Sequence, residues 1–196
     1  MISPAPGVMF TTAADGDMRR QPAYMTRLRV VGDWATVRQV HGSKVVEVER
    51  PGDHGEADGL FTDVPGLPLA VFTADCLGIV LRGPSEVAVV HAGWRGLASG
   101  VIERAVGMLG EVDSVFIGPH IRECCFEVGP EVAELFEGHL GRTTAGTVSV
   151  DLAGAAAARL PLQPEVVDLC TKCGADTFSH RLNATDARMA TVGWIP

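Results

Sequence analysis

The sequence predicts one domain of mixed α and β structure spanning residues 1–196. Apolar runs of strand length, rich in β-branched residues, recur along the chain. Amphipathic and alanine-rich helical patterns alternate with them in its second half. No fixed-period repeat, low-complexity tract or linker divides the 196 residues, a length that closes one substantial core.

The elements follow in order. "RLRVVG" (27–32) and "KVVEVER" (44–50) read as strands around a polar turn, and "RQVHGSKVVEV" places His41 before a glycine at the mouth of a β-hairpin. "PGDHGEADG" (51–59) is turn chemistry throughout. "LPLAVFTA", "LGIVLRG" and "EVAVVHAG" are buried strands by composition. A helix over 95–109 carries Leu97, Val101, Ile102, Ala105, Val106 and Leu109 on one face. "DSVFIG" is the next buried strand. Pro130 opens a helix in "GPEVAELFEGHL", and Asp151 caps an alanine-rich one in "DLAGAAAARL". "PEVVDLC" and "RMATVGWI" close the chain as strands.

Composition narrows the function. Hydrophobic residues make up 46% and mean hydropathy is +0.20, which suits a globular protein. A net charge of −8 argues against a nucleic-acid surface, although a local pocket of cations can still take an anion. No apolar run has the length of a membrane span, and "MISPAPGVMF" lacks a basic segment followed by an apolar core. A cytoplasmic location is the expectation. Five cysteines, an odd number, do not make a disulfide framework.

The stretch "TADCLGIVLRGPSEVAVVHAGWRG" (73–96) holds the chemistry. His41, Cys76 and His91 each stand at a strand end beside small residues, where a ligand or metal can approach closely. Two imidazoles and a thiolate make a zinc set with an open fourth position, the pattern of a catalytic site. Cys76 as a nucleophile with His91 as its base is a second reading, with Asp75, His120 or His180 as the orienting group. A buried core thiol with two satisfied loop histidines is the third. In "HAGWRG", helix N-terminal amides and Arg95 could hold an anion, or the turn could simply pack Trp94. "CTKC" (170–173) suggests a redox pair. A zinc ribbon would need a second Cys-x-x-Cys, and Cys124–Cys125 has the wrong spacing.

"QVHG", "ADGLFT", "TADC", "HAGWRG", "IGPHI", "CFEVGPEV", "DL", "CT" and "FSHR" occur in that order. Together they resemble the YfiH-like family, also called laccase-domain or polyphenol oxidase proteins. The resemblance runs from about residue 38 to 195. It implies an α+β fold with mixed sheets sandwiched between helices in four layers, similar to the catalytic domain of cytotoxic necrotizing factor. It implies that His41, Cys76 and His91 are metal-binding and active-site residues, with zinc as the metal and copper as the alternative. It also implies a purine nucleoside phosphorylase acting on adenosine, inosine or methylthioadenosine, with adenosine deaminase activity.

Arg95, Gln39 and Arg181 are the candidates for substrate and phosphate contacts. Cys170, within "CT", is expected near the pocket and Cys173 to be incidental. "TDAR" (185–188) stands where the family usually has "TGR", with Arg188 the candidate for its arginine. A multi-copper phenol oxidase needs more histidine ligands than six can supply in one cluster. A Cys–His hydrolase and a non-catalytic zinc module are the two rival functions that the same residues could serve.

Overall fold

The computed structural model describes residues 1–19 and 33–196, so the strand expected over 27–32 lies outside the described residues. The architecture is mixed α+β, built on two sheets packed face to face. The first has five strands: β1 (Val8–Phe10), β2 (Ala35–Arg38), β4 (Gly52–Glu56), β6 (Leu69–Thr73) and β13 (Met189–Gly193), in the order β1-β13-β6-β2-β4. The second has six: β3 (Val45–Glu47), β5 (Gly59–Thr62), β7 (Leu77–Arg82), β8 (Val87–Ala92), β9 (Ser114–Ile117) and β12 (Glu165–Val166), in the order β12-β9-β7-β8-β5-β3. A small ribbon joins β10 (Leu140–Arg142) to β11 (Val148–Val150).

Period-two patterning decides which side each residue takes. In β8, Val87 and Val89 meet Val8, Phe10, Leu69 and Val71 of the other sheet. Ala88, Val90 and Ala92 face the opposite way, onto Leu97, Val101, Ile102 and Ala105. Those four belong to α1 (Trp94–Ala98) and α2 (Val101–Val106). The helix expected over 95–109 is therefore two short ones. Gly100, at φ 83°, breaks the run between them, a backbone conformation that favours glycine. α3 (Pro130–Ala133) and α4 (Leu152–Ala157) join the same layer, with Pro130 in the first turn and Asp151 capping Gly154 N at 3.0 Å.

Two expectations need correction. "PGDHGEADG" contains β4, an edge strand paired parallel to β2 across a register shift, not turn throughout. His41 also lies in no hairpin. β2 pairs with β4 and β6 in the first sheet, whereas β3 pairs with β5 in the second, so residues 39–44 cross from one sheet to the other. The same crossing occurs twice more, from β4 to β5 through Ala57 and Asp58, and from β6 to β7 through Ala74, Asp75 and Cys76. Glycine lets the sheets close up near these crossings, since a Cβ on Gly78 would run into Thr191 of β13.

Candidate active site

The three crossings meet at His91, the penultimate residue of β8, which lies on the inter-sheet side by the alternation of that strand. One carboxylate organises the junction. Asp58 is wholly buried; its Oδ2 accepts the amides of Val40 (3.2 Å) and Gly42 (2.6 Å). Its Oδ1 accepts the His41 amide (2.9 Å) and faces His91 Nδ1 at 2.8 Å. This grip holds His41 at φ 61°, a left-handed conformation uncommon outside glycine. Burial pushes the Asp58 carboxyl up, but the His91 contact and the Gly42 and Val40 amides outweigh it and hold it below the ordinary carboxylate range. An ionised Asp58 fixes the proton of His91 on Nδ1 and leaves Nε2 for the cluster.

The structure brings His41, Cys76 and His91 together, with one donor atom from each lying within 4.8 Å of the other two. The imidazole rings meet edge to face, centroids 4.8 Å apart. Gly93 makes room, because a Cβ there would stand 3.0 Å from Cys76 Sγ and 3.2 Å from His41. His91 is buried, Cys76 half-buried and His41 exposed, so the group opens to one side. Three donors and an open side fit a single ion with a free fourth position. They do not fit a multi-copper cluster, since among the described residues only two histidines share the group.

Charge couples the thiol and the ring. Burial pushes the Cys76 thiol up, yet contacts with His41 and His91 bring it down to about 6. Burial pushes His91 down, yet Asp58 and Cys76 raise it to about 9. The metal-free protein therefore carries a thiolate–imidazolium pair between about pH 6 and pH 9. Alkylation of Cys76 in the metal-free protein should fall to half its plateau rate near pH 6. A His91→Asn variant should need a higher pH for the same rate. Half-reaction near pH 9 in the unaltered protein would show that the pair does not form.

A cavity of about 500 Å³ opens over the cluster, walled by Phe72, Trp94 and Phe126 and by the arginines Arg19, Arg38, Arg95, Arg181 and Arg188. Arg95 is exposed, stacks on Trp94 with its guanidinium carbon 4.3 Å from the ring centroid, and makes no ion pair among the described residues. The buried carboxylates of Asp58 and Asp75, which could have paired with it, are engaged by other donors. Arg181 donates its side chain to Glu127 O (2.7 Å) beside the Phe126 ring, and its amide goes to Asp75 Oδ2 (2.7 Å). Arg188, in the "TDAR" stretch, does reach the cavity. Gln39 lines it too, but both ends of its amide are engaged by the backbone of Phe72 at 2.8 Å, which anchors the segment leading to His41.

The helix expected to begin at "HAGWRG" does begin there, with Gly93 ahead of Trp94. α1 is only five residues long, so the arginine side chains carry the positive field. The orienting group of the histidine is Asp58 rather than Asp75, His120 or His180. Asp75 sits at φ 92° with its carboxylate held by the Thr171 hydroxyl (2.6 Å) and the Arg181 amide. His120 is buried with Nδ1 facing Gly118 O at 2.8 Å, and its burial pulls it below the ordinary imidazole value. His180 lines the cavity, exposed. The orienting role of Asp58 was missed in the sequence, although an aspartate opening the buried strand "ADGLFT" was the signal that could have found it.

Residues 17–196 match the family model described as multi-copper polyphenol oxidoreductase laccase. The chain is 35% identical over 176 residues to the purine nucleoside phosphorylase YfiH of Escherichia coli (strain K12), covering 81% of this chain and 72% of the relative. It is 37% identical over 202 residues to a purine nucleoside phosphorylase of Xylella fastidiosa, covering 90% and 77%. Among solved structures it resembles the hypothetical protein YfiH of Bacillus licheniformis, with a TM-score of 0.77, 27% identity, and coverage of 87% of this chain and 78% of that one. YlmD of Geobacillus stearothermophilus gives a TM-score of 0.73 at 29% identity, covering 83% and 74%.

Proposed function

This chain belongs to the laccase-type multi-copper polyphenol oxidoreductase family, and we propose that it acts there as a purine nucleoside phosphorylase. The observation that carries this reading is the cavity, where five arginines surround a Cys–His group in a chain whose net charge is −8. A local positive field inside an acidic protein collects a small anion and not a polyanionic surface. The aromatic side chains Phe72, Trp94 and Phe126 offer faces on which a purine can stack. The names of the curated relatives agree with this chemistry.

In the reaction, a phosphate oxygen forms a bond to C1′ of the ribose as the bond from C1′ to the purine breaks. The electron pair of that bond leaves with the base, which takes up a proton. The sugar carries positive charge in the transition state, so a phosphate fixed beside it stabilises that charge. Arg95, lying over the Trp94 ring and free of ion pairs among the described residues, is assigned to the phosphate, with Arg181 and Arg188 completing the field. Gln39 positions the His41 segment.

His41, Cys76 and His91 would hold a metal ion, which supplies a Lewis acid beside the cavity, and the adenosine deaminase activity draws on that chemistry. Zinc is the assignment for this donor set. The same two nitrogens and one sulfur also suit a single copper, and a phenol oxidase is the rival that copper would serve. A reducing cytoplasm, where we place the protein, keeps Cys76 available as a thiolate.

The test is to incubate the purified protein with inosine, adenosine or methylthioadenosine, with and without inorganic phosphate. Free base and a sugar 1-phosphate should form only when phosphate is present. Base release at the same rate without phosphate would make the protein a hydrolase. Turnover of phenols alone, dependent on copper, would replace the proposal with the oxidase.

A further inference from the structure

We propose that Cys124, Cys125, Cys170 and Cys173 form a second metal centre, a structural zinc site that staples one wall of the cavity. The four Sγ atoms lie within 4.8 Å of one another and none is in a disulfide. Two of their separations, Cys124–Cys125 at 3.7 Å and Cys124–Cys173 at 3.8 Å, match the edge of a tetrahedron whose metal–sulfur bonds are about 2.3 Å, an edge of about 3.8 Å. A cage this tight encloses a single ion and leaves no room for an iron–sulfur cluster.

The backbone is arranged for a sulfur ligand. Cys170 Sγ accepts the Arg122 amide at 3.5 Å, and the amides of Lys172 and Cys173 are turned toward it as well. Gly174 N closes the turn onto Cys170 O at 2.8 Å, and a Cβ on Gly174 would collide with that same carbonyl. Amides aimed at one sulfur from inside a Cys-x-x-Cys turn offset thiolate charge and orient the ligand. Four protein ligands leave no open position, which marks a structural rather than a catalytic ion.

Cys170 does lie near the cavity, behind its wall; Cys173 has, in the proposed centre, a part it was not expected to have, and the adjacent pair Cys124–Cys125 replaces the second Cys-x-x-Cys. The cluster sits behind the cavity wall. Cys124 and Cys125 lie between Ile121 and Phe126, which both line the cavity, and Cys170 precedes Thr171, whose hydroxyl holds Asp75. The ion would tie the two segments together, with the exposed Cys173 at its entrance.

A His41→Ala/Cys76→Ser variant removes the first metal group and isolates the second. Purified without oxygen from zinc-supplemented cells, it should keep one zinc per chain through dialysis against a chelator. Its four remaining thiols should resist a thiol reagent until a mercurial releases the ion. Adding Cys173→Ser should abolish zinc retention. If either variant fails to fold, cobalt-loaded unaltered protein decides, by a charge-transfer intensity of about four thiolates more than Cys76 alone gives. Four freely reacting thiols without metal, a disulfide between two of them, or a cobalt spectrum showing one thiolate would each overturn the site. None of these readouts depends on phosphorolysis.

Discussion

Asp58→Asn should cost about 3–5 kcal/mol of folding stability and weaken zinc binding about 10- to 100-fold. The aspartate receives four donors, two on each oxygen, with no exposure to solvent. An asparagine has one acceptor oxygen, so its NH2 must point at either the Val40 and Gly42 amides or the His41 amide and His91. Two buried donors lose their partner whichever way it turns, and His91 loses its counter-charge. The acid limb should change as well. A carboxyl whose folded value lies below 3.8 contributes stability that is present above that value and lost as pH falls through the lower folded one. The asparagine variant should lack this acid-induced slope. Denaturant midpoints of the metal-free proteins across pH, with a zinc competition titration, measure both effects. Equal stability and equal zinc affinity would remove Asp58 from its organising role.

Arg95→Ala should raise the phosphate concentration needed for half-maximal phosphorolysis about 10- to 150-fold, the loss of one charge-assisted contact worth roughly 1.5–3 kcal/mol. The guanidinium lies over the Trp94 ring and is spent on no acidic partner among the described residues, so its charge is available to a ligand. Arg95→Lys keeps the charge but loses the planar two-pronged donor, and should fall between the two. Initial rates against phosphate at saturating nucleoside measure this. An unchanged phosphate dependence in the folded alanine variant would leave the anion to Arg181 and Arg188.

The sequence carried the strands of the core and the three residues of the Cys–His group, because apolar runs and reactive side chains at strand ends are local signals. It did not carry the partition of strands between sheets. Nothing local in 39–44 distinguishes a hairpin turn from a crossing, since either needs a polar segment with glycine. β4 was hidden for a related reason. An edge strand with Gly52 at φ 120° and Gly55 at φ 79° has the composition of a turn. The 95–109 helix kept its apolar face but broke at Gly100, whose cost in a helix is visible in sequence while its conformation is not. Asp58 left a local signal, a carboxylate opening a buried strand, but its partner and the assembly of the four cysteines were illegible because the residues they meet are distant in the chain. Only the tertiary fold brings Asp58 to His91, or Cys124 to Cys173.

The threefold crossing between sheets also sets the order in which the protein can mature. His41, Asp58 and Cys76 each belong to a segment that leaves one sheet for the other, so none can be positioned while the sheets are apart. The contacts among them are non-local in sequence, and such contacts form late because chain closure must come first. The Cys–His group therefore cannot assemble before the two sheets dock. An ion held by His41, Cys76 and His91 would then act as a latch on an interface otherwise held by aliphatic side chains such as Val71 and Val89.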